Sequence, residues 1–321
     1  MTIRSFNWTR AVACLLVAVT AVLLSFGALV TTYEAAMAVP DWPATYGHNM
    51  FLFPLAEWLG GPWDLFLEHG HRLLGATAGI VTLVLAAVAW RSAASPIVRW
   101  LVVAAVVLVV LQGVLGGLRV RLDDKTIAKV HACTGPLFFA VAVAIATLAG
   151  RARPPIVAAD GARAPVLLLV AAYFQLVAGA QLRHLDAAVE PSSFHSLVGL
   201  HILGAVAVTV LSAMSVAVTA SDGSLAARRW AWAIAGFVLL QLLLGAGAWV
   251  ANWGVPSDLI PESWMPTEAL RARSVWSAAV VTGHVVLGMF ILGASVVLAI
   301  EAGGFARRSR VAASATGRAY A

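Results

Sequence analysis

The sequence predicts an all-α integral membrane protein, with eight transmembrane helices arranged as two pseudo-repeated four-helix bundles. Three observations carry that prediction. The 321-residue chain is 61% hydrophobic and only 11% charged, so its long apolar runs would have no water-facing side in a soluble fold. Eight such runs stand at about 11–32, 70–90, 98–118, 130–149, 165–182, 194–219, 230–251 and 274–300; about 20 residues suffice to cross a hydrocarbon core. The segment RARPPIVAADGARAP (151–165), with three Arg, three Pro and a Gly, divides the runs four and four.

The first run follows Arg4 and Arg10, and Ala36-Met37-Ala38 after it resembles a small-residue cleavage site. Its length exceeds a signal-peptide core, so it is expected to stay as a helix. Residues 33–67 form a long Trp- and Pro-rich connection, suited to an interfacial lid or to anchoring at the membrane surface. The second run opens with Glu68-His69-Gly70-His71-Arg72. The third ends LQGVLGGLRV (111–120), the fifth holds FQLVAGAQLRH (174–184) and the seventh LQLLLGAGAWV (240–250). Each places a Gln before small residues; small residues let helices approach closely, and a buried amide needs a partner.

The formal charge of +6 does not indicate nucleic acid. With the N-terminus inside, inner segments carry 13 of the 21 basic residues, and outer segments carry 12 of the 15 acids. This positive-inside pattern puts both termini in the cytoplasm. The two cysteines, Cys14 and Cys133, fall near opposite ends of their runs and are expected to be free.

Each even-numbered run carries a histidine: His71, His131, His201 and His284. Ionisable groups inside a membrane are costly and are kept for function. Two imidazoles on different helices, without a Cys pair, suit axial ligation of one heme iron. The pairs expected are His71/His131 and His201/His284. His69 is two residues from His71, about 200° round a helix, and His195 six residues from His201, about 240° round; His195 competes with His201. His48 and His184 fall in loops. Gly75, Gly135, Gly204 and Gly288 could leave groove space, and Arg72, Arg119, Arg121, Arg183, Arg271 and Arg273 could meet propionates. His71 and His131 begin their runs and His201 and His284 lie deeper, so the first site is expected to be shallow and the second buried. Glu68 lies three residues before His71, on the same helix face. Ala128, Val198 and Val281 hold the corresponding places, so substrate chemistry is expected at the first site.

AMAVPDWPATYG, EHGHR, LQGVLGGLRV, KVHACTGPLFF and the single histidines of runs six and eight together resemble the heme A synthases. The resemblance covers essentially all eight runs. It implies an oxidoreductase, monooxygenase-like, that converts the C8 methyl of heme O to the formyl of heme A for cytochrome oxidase. It also implies Glu68, His71 and His131 as the catalytic set and His201 and His284 as cofactor-binding ligands of heme b; Arg72, next to His71, joins the cofactor-binding residues as a propionate partner. The corresponding domains are 1–150 (heme O site), the cytoplasmic linker 151–165, 166–303 (heme b site) and the basic tail 304–321. The partners expected are heme O and heme A, heme O synthase, oxidase assembly factors and membrane lipid, with no nucleic acid and self-association left open. The location implied is a bacterial-type plasma membrane. Some members carry a cysteine pair in the first outer loop; this chain has none there. Three rivals compete: a diheme electron carrier of the quinol-oxidising cytochrome b type, a heme chaperone, and a proton-coupled transporter using His and Glu as relays.

Overall fold

The computed structural model describes residues 6–92, 94–150, 162–185, 189–254 and 274–303. All eight apolar runs are helices long enough to cross a membrane. They are α1 (Trp8–Thr32), α3 (Trp63–Arg91), α4 (Pro96–Leu122), α5 (Lys125–Ala149), α6 (Arg163–Arg183), α7 (Pro191–Asp222), α8 (Leu225–Trp253) and α9 (Val275–Glu301), with a short α2 (Leu55–Gly60) between α1 and α3. The chain is a multi-pass membrane protein. Residues 151–161 of the expected linker 151–165, the basic tail 304–321 and residues 255–273 before α9, including Arg271 and Arg273, lie outside the described residues, while Arg163, Ala164 and Pro165 of that linker already belong to α6.

The helix starts follow local chemistry. Asn7, Asp124, Ser224 and Ser274 accept a backbone N–H of the first turn at 2.8–3.1 Å, and Pro96 and Pro191 occupy first-turn positions where their missing N–H costs nothing. One boundary differs from expectation: α3 begins at Trp63 rather than near residue 70. Asp64, Glu68 and His69 interrupt the apolar run, yet the connection folded over this end gives Glu68 and His69 partners.

The helices pack as two rings, α1–α3–α4–α5 and α6–α7–α8–α9, joined through α1, α5, α6 and α9. Leu16, Ala78, Leu85, Val102, Phe138 and Ile145 form the core of the first ring. Leu168, Val208, Ile234, Leu292 and Leu298 form that of the second. Phe139 and Val143 of α5 meet Val296 and Ile300 of α9 between them. Gly293 permits this contact, since a Cβ there would stand 2.9 Å from Phe139 Cε1. Outward apolar residues such as Trp100, Val107, Leu203 and Leu243 are exposed, as lipid-facing side chains should be.

Candidate functional site

The connection between α1 and α3 folds into a cap. Ala44–Thr45 and His48–Asn49 form a hairpin, turned by Tyr46 (φ 48°) and Gly47 (φ 78°), the two positive-φ residues that a tight hairpin turn needs. The Asp41 carboxylate accepts both turn N–H groups, from Tyr46 at 2.9 Å and Gly47 at 2.8 Å. Burial opposes its ionisation, but these bonds and Arg72 outweigh it and hold Asp41 below the usual carboxylate range.

The charged residues of α3 anchor this cap. Glu68, 2% exposed, accepts Val39 N–H at 2.9 Å and Arg72 Nη2 at 2.8 Å. Arg72 also donates to the carbonyls of Val39 (2.6 Å), Asp41 (2.6 Å) and Ala44 (2.9 Å). His69 is buried, with Nδ1 3.1 Å from Thr45 Oγ1 and its ring between Phe53 and Trp58. Gly70 admits the Phe26 ring, and Trp42 of the cap rests against Gly117 of α4, where a methyl group would have no room. The cap therefore bridges α3 and α4 at the end of the first ring.

His71 alone of that cluster turns to a partner imidazole. Its ring centroid lies 6.4 Å from that of His131, and His201 and His284 stand 6.2 Å apart. A metal–imidazole bond of about 2 Å puts opposed axial rings about 6 Å apart, centroid to centroid. Each ring rests on a glycine of the neighbouring helix: a Cβ at Gly27, Gly116, Gly179 or Gly245 would meet Cε1 of His71, His131, His201 or His284 at 2.9–3.2 Å. His71 Nδ1 faces the Leu23 carbonyl and His284 Nδ1 the Gln241 carbonyl, both at 3.2 Å. A carbonyl only accepts, so each Nδ1 is the donor and Nε2 is unprotonated; the Nε2 of His284 also lies 3.4 Å from the Gln241 amide nitrogen. Among the described residues no cluster of three or more His, Cys, Asp or Glu is arranged to hold an ion. Two-imidazole donor sets fit the axial positions of a heme rather than a tetrahedral ion.

Comparison with known proteins bears on this geometry. Residues 63–194 match the family model COX15-CtaA, cytochrome oxidase assembly protein. The chain is therefore similar to this family over 132 of its 321 residues. It is similar to the heme A synthase of Halalkalibacterium halodurans, 26% identical over 54% of this chain and 58% of that protein. It is similar also to that of Shouchella clausii, 28% identical over 52% of this chain and 56% of that protein. The chain thus spans a little over half the length of these relatives. The family match contains Glu68, His71, Arg72 and His131 but stops short of His201 and His284, so the second pair rests on geometry.

The structure sets His201 opposite His284 as expected, and its competitor His195 is exposed beside Phe194. Other expectations change. Arg72, expected to meet a propionate, has both terminal nitrogens on the cap and Glu68, and Glu68, expected beside His71, is bound to Val39 N–H and Arg72. The first site is not shallow. All four histidines are partly buried, and the early start of α3 makes His71 its ninth residue, counted from Trp63. Gly135, Gly204 and Gly288 face glutamine amides rather than open groove; only Gly75 has nothing within 4 Å. The glycines that seat the rings stood in the sequence four residues after Leu23, Gln112, Gln175 and Gln241. Spacing within one helix cannot show what a glycine faces on the next.

Cations gather at the capped end. A cavity of about 670 Å³ between the rings is lined by Arg119, Lys125, Arg183 and His184, among others. Burial, then the charges of Arg183, Arg119 and Lys129, push His184 down to about 4. It is neutral at physiological pH, and Glu34, Asp123 and Asp124 line the same cavity as counter-charges.

Proposed function

We propose that the chain is a heme A synthase, an oxidoreductase that converts the C8 methyl of heme O to a formyl group. His71 and His131 hold the iron of the substrate heme, and His201 and His284 hold a heme b. When bound, that heme b supplies an electron relay. Glu68 and Arg72 fix the cap, which excludes water from one face of the first site and has no counterpart among the described residues over the second. Arg119 and Arg183 provide positive charge for propionates at the capped end. The charge distribution supports an orientation with that end outside and both termini in the cytoplasm of a bacterial-type plasma membrane. Heme O would come from a heme O synthase, and heme A would pass to cytochrome oxidase assembly.

The observation that carries this reading is the asymmetry of two otherwise similar histidine pairs. Both have rings about 6 Å apart, but among the described residues only the first lies beneath an anchored cap. A diheme carrier has no need of that difference. The test is expression in a host that makes heme O but no heme A, followed by heme extraction and chromatography with mass detection. Heme A or a hydroxylated heme O is expected. Bound heme B with unaltered heme O, in a host with a competent electron supply, would replace the enzyme with a carrier or chaperone.

A further inference from the structure

Three of the four histidines are locked by a second residue of the helix that seats them. Gln175 Nε2 donates to the His201 carbonyl at 2.9 Å, and Gln241 Nε2 to the His284 carbonyl at 2.9 Å. Gln112 Nε2 reaches the His131 carbonyl at 3.4 Å and bonds Thr134 Oγ1. A glycine one turn beyond each histidine also makes room beside the amide: a Cβ at Gly204 would collide with Gln175, one at Gly288 would stand 3.3 Å from Gln241 Nε2 after Leu176, and one at Gly135 would stand 3.8 Å from Gln112 Oε1 after Leu24. The packing is reciprocal, with imidazole over the glycine of one helix and amide over the glycine of the other.

The fourth histidine, His71, has the register without the lock. Leu23 presents its carbonyl to His71 Nδ1 at 3.2 Å, as Gln241 does to His284, and Gly27, four residues on, seats the ring as Gly245 does. Yet residue 23 has no amide, and among the described residues no side chain donates to the His71 carbonyl. The notch for the missing amide is present, because a Cβ at Gly75 would meet nothing within 4 Å.

We infer that His71 is the releasable ligand, and that leucine rather than glutamine at position 23 makes it so. This rests on the reading of the first pair as the substrate site. A substrate heme has to be bound and given up in each cycle, whereas a resident heme has to stay. An amide bond between helices in lipid tightens a site only modestly, by about tenfold. Such a bond tunes release without deciding whether the site forms.

The test uses the full-length purified protein loaded with both hemes and mixed with excess heme-free myoglobin as a scavenger. The heme types that leave are separated by chromatography. In the unaltered protein, heme O or heme A is expected to leave faster than heme B. Leu23→Gln is expected to slow that release about tenfold and leave heme B release unchanged. Gln241→Leu, which gives the second site the composition of the first, is expected to speed heme B release about tenfold. It decides the matter if Leu23→Gln does not fold. Unchanged release from both variants, with both hemes present, would overturn the inference and leave the functional reading standing. Preparations of unaltered protein with no heme O or heme A at the first pair would overturn the functional reading itself, and this inference with it.

Discussion

Glu68→Gln is expected to abolish heme A formation while the His201/His284 heme stays in place. The carboxylate has two tasks, accepting Val39 N–H and countering Arg72. Glutamine can perform the first through its oxygen. It fails at the second, since its amide nitrogen is a donor set against a donor. The side chains of Arg72 and Glu68 are only 9% and 3% exposed, so the guanidinium would be left buried without its counter-charge. Breaking a buried pair in this way costs about 3–5 kcal/mol. That cost falls on the anchorage of the cap, because Arg72 also gathers the carbonyls of Val39, Asp41 and Ala44. Among the described residues the hydrogen bonds of Glu68 and Arg72 run to the cap and to each other, so the second ring should keep its heme. The measurement is heme A against heme B content of membranes carrying the variant. Undiminished heme A would remove Glu68 and its cap from the account. Arg72→Lys should be impaired as well, since one ammonium cannot reproduce a two-nitrogen fork.

Gly245→Ala is expected to lower occupancy of the second heme by about tenfold or more, a loss worth ~1.4 kcal/mol of binding per tenfold. The added Cβ would lie 2.9 Å from His284 Cε1 and 3.4 Å from Nδ1. The ring cannot yield easily, because Nδ1 is held by the Gln241 carbonyl and the His284 backbone by the Gln241 amide. Gly236→Ala on the same helix is the control, with nothing within 4 Å of its added Cβ. Helix propensity favours alanine by about 1 kcal/mol at both positions, so any difference between them belongs to the imidazole seat. Low-spin heme absorbance per mole of purified protein reads the outcome. Equal occupancy in the two variants would dismiss the seat.

The architecture was legible because lipid removes most choices. Every apolar run of sufficient length had to be a helix, and all eight are. The four paired histidines were legible as well, one per even-numbered run. What could not be read was anything fixed by register between helices or by the cap. His195 and His201 were both open until the contact with His284 chose between them. The charged start of α3 looked like one functional cluster, yet it divides its work. Glu68, His69 and Arg72 hold the cap, and only His71 joins the imidazole pair. Gly117 read as generic close packing, whereas it receives Trp42 from a segment 75 residues earlier in the chain. Local periodicity carries no information on such contacts.

The central claim is that the first histidine pair holds substrate and the second holds a resident heme b. The most direct measurement is the identity of the heme lost when each pair is removed. Full-length protein, produced in a host that makes heme O, would be purified as His71→Ala/His131→Ala and as His201→Ala/His284→Ala. Bound hemes would then be extracted and weighed by mass. The expected result is loss of heme O and heme A with heme B kept in the first variant, and loss of heme B in the second. Heme B lost from the first variant and kept in the second would contradict the account.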